Sequence, residues 1–132
     1  MTTMFDTTTN ERLIVDWARL MSAHELGALL QLFTDDAVSS VNRGREAIHT
    51  FAAHFVQAFP DVTVELSSTF ATPTHGAAEW VIRGTQRGDL PNIPAQGKRM
   101  EVRGASIMEF AEGKVRRVSD YWDRTVFVAQ LS

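Results

Sequence analysis

The chain has 132 residues, enough for one domain with a real core and too few for two comfortable ones. Its 44% hydrophobic and 22% charged residues exclude a disordered chain, and no apolar run reaches the roughly 20 residues of a membrane-spanning helix. A net charge of −3 argues against nucleic acid as a partner, and the absence of cysteine removes disulfides and thiol nucleophiles alike, in keeping with a reducing compartment.

The polar, Thr-rich stretch over residues 1–10 predicts a flexible tail, leaving a single domain over 11–132. It lacks the basic start and apolar centre of a signal peptide, so a cytoplasmic location away from membranes is expected. From Glu11 to Met21, Leu13, Ile14, Trp17, Leu20 and Met21 recur at spacings of three and four and predict a first helix. Ser22 stands as an N-cap before "AHELGALLQLF", where Leu26, Leu29, Leu30 and Phe33 predict a second helical stripe. "TDDAVSSV" leads into a short strand. After Gly44, "REAIHTFAAHFVQAF" puts Ile48, Phe51, Ala52, Phe55 and Phe59 on one face of a third helix, which Pro60 stops.

Beyond Pro60 the apolar period drops to two. Strands are predicted in "DVTVELSSTF", "AAEWVIRGTQRG", "KRMEVRGASIMEF" and "KVRRVSDYWDRTVFV", the last of them long. "THGA" and "AEGK" are tight connections, and "GDLPNIPAQGK", with its prolines and glycines, is a loop. Helices followed by a meander of strands make an α+β order in which helices cover one face of a curved sheet.

The stretches "HELGALLQLFTDDAV", "AFPDVTVEL", "IPAQGKRMEVRG" and "GKVRRVSDYWDRTVFVAQL" occur in that order, and through them the chain from Glu11 to Leu131 resembles the SnoaL-like polyketide cyclases of the nuclear transport factor 2 superfamily. The resemblance implies a cone-shaped fold in which a curved, mostly antiparallel sheet and three N-terminal helices enclose a pocket. It also implies a homodimer through the outer face of the sheet, and it puts the catalytic acid at Asp123. Two positions depart from that pattern. Gln86 stands where many relatives carry His, which removes a group able to exchange protons near neutral pH, and Ser119 stands where Trp is common. The closing "DYWD" is also similar to limonene-epoxide hydrolases, whose Asp-Arg-Asp arrangement would again use Asp123, with Arg83 and, if the register allows, Glu79 nearest to the other two roles.

Alternation puts Arg117, Ser119, Tyr121 and Asp123 on one face of the last strand and Val118, Asp120, Trp122 and Arg124 on the other, without choosing between the faces. The resemblance sends Asp123 inward. A carboxyl group in an apolar, aromatic-lined cavity loses hydration, so its pKa rises from about 3.9 and it can exchange protons near neutral pH. Asp123 is therefore expected to be the catalytic acid or base, and Asp120 an outer-face partner of an arginine. Tyr121, Gln86, Trp80, His24, Ser119, Trp17 and Phe55 are expected to bind substrate, while His54 packs and His49 and His75 face solvent. No histidine spacing suits a metal and no glycine pattern suits a nucleotide, so neither a metal nor a cofactor is expected. The expected function is cofactor-independent acid–base catalysis of the cyclase or aldol type on a hydrophobic carbonyl compound. An epoxide hydrolase, isomerase or dehydratase, and a non-catalytic ligand-binding or assembly module, are the alternatives.

Overall fold

The computed structural model describes residues 7–132. Helices α1 (Thr7–Ala23) and α2 (Leu26–Leu30) precede strands β1 (Phe33–Ser39) and β2 (Asn42–Arg43), and α3 (Arg45–Ala58) follows. Strands β3 (Thr63–Ala71), β4 (His75–Thr85), β5 (Arg99–Ala111) and β6 (Lys114–Trp122) complete the sheet, and α4 (Arg124–Leu131) closes the chain. The strands lie in the order β2-β1-β6-β5-β4-β3. Every neighbouring pair is antiparallel except β1 with β6, which is parallel, so the curved sheet is mixed. No helix among the described residues is long and apolar enough to cross a membrane.

The three expected N-terminal helices are present, with shifted ends. Thr7–Asn10, expected in the flexible tail, form the first turn of α1, because Asn10 is fully buried and its Nδ2 donates to the Thr72 carbonyl at 2.9 Å. This tertiary contact overrides the modest helix propensity of threonine; the rest of the tail, residues 1–6, lies outside the described residues. Ser22 does not cap α2. It belongs to α1, and its Oγ accepts from the Val64 amide at 2.9 Å. The chain turns instead at His24, in the left-handed region with φ 59°, where its amide donates to Met21 and that of Glu25 donates to Leu20. Those two bonds form a Schellman ending and leave α2 only five residues, so Phe33 starts a strand rather than extending a helix.

The final long strand is also corrected. It ends at Trp122, because the Asp123 side chain accepts from the amides of Thr125 at 2.9 Å and Val126 at 3.3 Å and caps α4. Gln130 then pins α4 to the sheet, accepting from the Glu101 amide and donating to the Glu101 carbonyl.

Between β5 and β6, Glu112 and Gly113 both take positive φ, the geometry of a two-residue hairpin turn that pairs Ala111 with Lys114 and Phe110 with Val115. A bulge with Arg116 as the extra residue then shifts the register by one, so that Glu109 pairs with Arg117. Residues Trp80, Gly104 and Trp122 then face one another in one cross-strand row of the inner face, with Ala78, Ser106 and Asp120 in the row beside it. Gly104 is the place where backbone and ring approach most closely. A Cβ there would stand 2.4 Å from Trp80 Cη2, so the missing side chain is what lets the indole lie over the strand. Gly104→Ala is expected to cost about 1–3 kcal/mol by overpacking and to displace the Trp80 ring. Chemical denaturation, with near-ultraviolet circular dichroism to follow the ring, checks this; an unchanged midpoint and spectrum would show that the ring is free to move.

Candidate active site

The concave face of the sheet, with α1 and α3 over it, surrounds a cavity of about 350 Å³, at the small end of the range for ligand pockets. Its wall is mainly apolar, and Trp17, Phe55, Trp80, Trp122 and Phe127 supply the aromatic part. The chain's three tryptophans, Trp17, Trp80 and Trp122, all line it. Asp120 and Arg124 are the charged residues of the lining. A wider depression on the other side of α3, lined in part by Arg43, Glu46, Thr50 and His54, is open to solvent and gathers no buried polar group.

Asp120 is half-buried and joined to the interior by a chain of hydrogen bonds. The Trp80 indole Nε1 donates to Ser106 Oγ at 2.9 Å, and Ser106 Oγ donates to Asp120 Oδ1 at 2.5 Å. Ser106 is fully buried. A hydroxyl has one proton and two lone pairs, so the indole, by filling a lone pair, leaves the hydroxyl proton for the carboxylate. The other carboxylate oxygen takes a longer bond, 3.5 Å, from Ser40 Oγ. Loss of hydration pushes the Asp120 carboxyl above the usual carboxylate range; the bonds from Ser106 and Ser40 pull the other way and do not offset it.

Asp123, the expected catalytic acid, lies outside the cavity lining. Asp123 is exposed and spends its side chain on the α4 cap, and Tyr121 is 62% exposed on the outer face with Ser119 on the same side of β6. The sequence held a signal for the other choice. Val118 and Trp122 are apolar and share the face of Asp120, whereas Arg117, Ser119 and Tyr121 share that of Asp123, and an apolar row marks the buried side.

Of the other expected binding residues, Trp80, Trp17 and Phe55 line the cavity. His24 ends α1 and its Nε2 lies 3.2 Å from the Val62 carbonyl, outside the lining. Gln86 is fully buried but does not line the cavity either. Its Nε2 donates to the carbonyls of Ile93 at 2.8 Å and Gly88 at 3.1 Å, fastening the loop whose Leu90, Pro91 and Ile93 do line it. Arg83 and Glu79 lie on the outer face, where Arg83 bridges Glu65 at 3.0 Å and Glu101 at 2.8 Å, so neither stands beside Asp120. Among the described residues no three His, Asp or Glu side chains converge as a metal-ligand group.

Because the folded protein keeps the Asp120 proton to higher pH than the unfolded chain, this residue costs nothing well below its ordinary value of 3.8. The cost appears as pH rises through the window from 3.8 to the raised folded value, and is complete above it. Asp120→Asn, which keeps an acceptor for Ser106, is expected to match the wild type in acid and to become the more stable protein across that window. Denaturation midpoints of both proteins over a pH series read the difference; a gap independent of pH would mean that Asp120 does not titrate abnormally.

Among solved structures, a candidate polyketide cyclase from Xanthomonas campestris pv. campestris superposes with a TM-score of 0.85 at 20% identity, covering 96% of this chain and 98% of that one. A second candidate polyketide cyclase, from a Silicibacter species, gives a TM-score of 0.83 at 23% identity with 96% and 98% covered. A protein from Catenulispora acidiphila, described as having a ketosteroid isomerase-like fold and solved with trimethylamine, gives 0.76 at 21% identity with 90% and 91% covered. At such identities the likeness is one of fold. No protein of curated function matches the chain significantly. The model of the SnoaL-like polyketide cyclases matches residues 12–131, the same stretch that builds the helices, sheet and cavity, and the chain belongs to that family.

Proposed function

We propose that the protein is a cofactor-independent acid–base enzyme of the cyclase or aldol type, with Asp120 as the proton-transfer group and a small hydrophobic carbonyl compound as substrate. The observation that carries this reading is the Asp120 carboxyl, desolvated at an apolar cavity and oriented by Ser106 and Trp80. In the protonated state it donates to a carbonyl or enolate oxygen; in the ionised state it accepts a proton from the carbon next to that carbonyl. The aromatic wall holds the carbon skeleton and excludes water, and Gln86 acts on the site only through the loop it fastens. An epoxide hydrolase of the Asp-Arg-Asp kind is less well supported, because Arg83 and Glu79 lie on the far face. A binding module remains the second reading, supported by the lack of any further carboxylate or imidazole in the lining among the described residues.

Proton exchange at carbon reads this chemistry without the natural substrate. In deuterium oxide the wild type is expected to accelerate exchange of the α-protons of 2-tetralone, a bicyclic ketone, followed by proton NMR. Asp120→Asn is expected to reduce that acceleration about 10²- to 10⁴-fold. Asp123→Ala, though it removes a helix cap worth about 1 kcal/mol, should retain it. Full activity in Asp120→Asn would remove Asp120 from the reaction. Quenching of tryptophan fluorescence by the ketone without any exchange would favour the binding module.

We also propose a second copy of the chain as the partner of the outer sheet face. Phe70, Ala77, Ile107 and Ser119 lie in one cross-strand row there, with Tyr121 in the next, and Phe70, Ile107 and Tyr121 are 59%, 46% and 62% exposed. Charged pairs flank this apolar strip, Arg83 with Glu65 and Glu101 on one side and Glu109 with Arg116 and Arg117 on the other. Sedimentation should show a dimer in the wild type and a monomer in Ile107→Glu, with helical content unchanged; a monomeric wild type would refute the pairing.

A further inference from the structure

Arg124 has no role in the account above, yet it lines the cavity. It is the first residue of α4, where a positive charge opposes the helix dipole, so the helix gains nothing from it. Among the described residues it has no ion pair and no side-chain hydrogen bond, whereas Arg83 and Arg116 on the sheet are held by carboxylates. It is exposed, as are Phe51, Pro91 and Trp122 of the same lining, so these residues mark where the cavity meets solvent. Asp120, Trp122 and Arg124 fall on one side of an extended stretch, since Asp123 between them keeps an extended backbone. Four residues of such chain span roughly 13 Å. The cavity wall thus carries a half-buried carboxyl group and, four residues further along the chain, an unpartnered, exposed guanidinium, with Trp122 between them.

We infer that the ligand of this cavity carries an anionic group, a carboxylate in the first instance, which Arg124 holds at the cavity mouth while the rest of the molecule extends over Trp122 and Trp80 toward Asp120. The inference rests on the reading of this cavity as the substrate site and narrows the substrate to a hydrophobic acid. A planar guanidinium can meet a carboxylate through two parallel N–H···O bonds, which fixes the orientation of the ligand as well as its affinity. It also keeps the anion away from Asp120, whose charge would repel it if the molecule entered the other way round. Arg124 is on this account a positioning residue and takes no part in proton transfer.

The three tryptophans all line the cavity, so their fluorescence reports occupancy directly. The probes are 4-phenylbutanoate and 4-phenylbutanamide, which share a carbon skeleton and differ in charge. The wild type is expected to bind the acid about three- to tenfold tighter than the amide at low ionic strength, with a margin that shrinks as salt is added. Arg124→Met should bring the acid down to the affinity of the amide and leave the amide within twofold of wild type, and Arg124→Lys should keep part of the preference. Equal affinity for the two probes in the wild type, or an equal loss of both in Arg124→Met, would overturn the inference and leave the cavity as a site. Absence of quenching by either probe would overturn the cavity reading and this inference with it.

Discussion

The Ser106 hydroxyl is the junction on which the inner face of the sheet depends. It is fully buried between an indole N–H and a carboxylate, and a group with one proton and two lone pairs can serve both only in the order observed, accepting from Trp80 and donating to Asp120. Replacing either neighbour leaves a buried polar atom without its partner, which costs more than the bond contributes. The requirement reaches into the backbone: Trp80 arrives at Ser106 by lying over Gly104, where no side chain can be tolerated without moving the ring. One position of Trp80's cross-strand row therefore has to lack a side chain so that the next row can hold an acid.

Holding that acid is unfavourable for the fold. Burial raises the carboxyl's proton affinity, and two hydroxyls restrain the rise without cancelling it. A stable core of the same shape would place an apolar residue there. The surrounding structure carries the cost through a large apolar cluster that joins α1, α2, α3 and the concave side of the sheet, and a second cluster under α4 that includes Phe59, Phe127 and Leu131. The cavity lies where the two clusters meet, since Phe55 and Ile82 pack against both and line it.

The acids three residues apart at the end of β6 show how local context divides labour. Asp120 lies within the strand, faces inward and is desolvated; Asp123 lies at the strand's end, where free helix amides need an acceptor. The same side chain is an acid–base candidate in one place and a cap in the other. Gln86 makes a related point. As an amide it cannot exchange protons, but its two N–H groups can hold two carbonyls of one loop, a task for which a neutral imidazole with a single N–H is poorly suited.

Much of the fold was legible in the sequence by itself. The apolar spacings of three and four predicted α1 and α3, the switch to a period of two after Pro60 predicted the strands, and four ordered stretches carried the family, because repeating patterns of burial are properties of the local chain. The tertiary structure settled which face of β6 is buried, although apolar Val118 and Trp122 beside Asp120 pointed to it. A period of two allows both choices, and the register that follows the Glu112–Gly113 turn would by itself have set Asp120 opposite Ala105 on the outer face. The bulge at Arg116 shifted the pairing with β5 by one residue and turned Val118, Asp120 and Trp122 inward. It also decided the ends: Asn10 entered a helix through a contact with Thr72, sixty-two residues away, and Asp123 stopped a strand by capping amides that exist only once α4 has formed. The bond from Trp80 to Ser106 spans twenty-six residues and that from Ser106 to Asp120 fourteen. Neither leaves a periodic trace, because each side chain alone is compatible with an ordinary core or surface position, and the hydrogen-bonded chain arises only when the sheet brings them together.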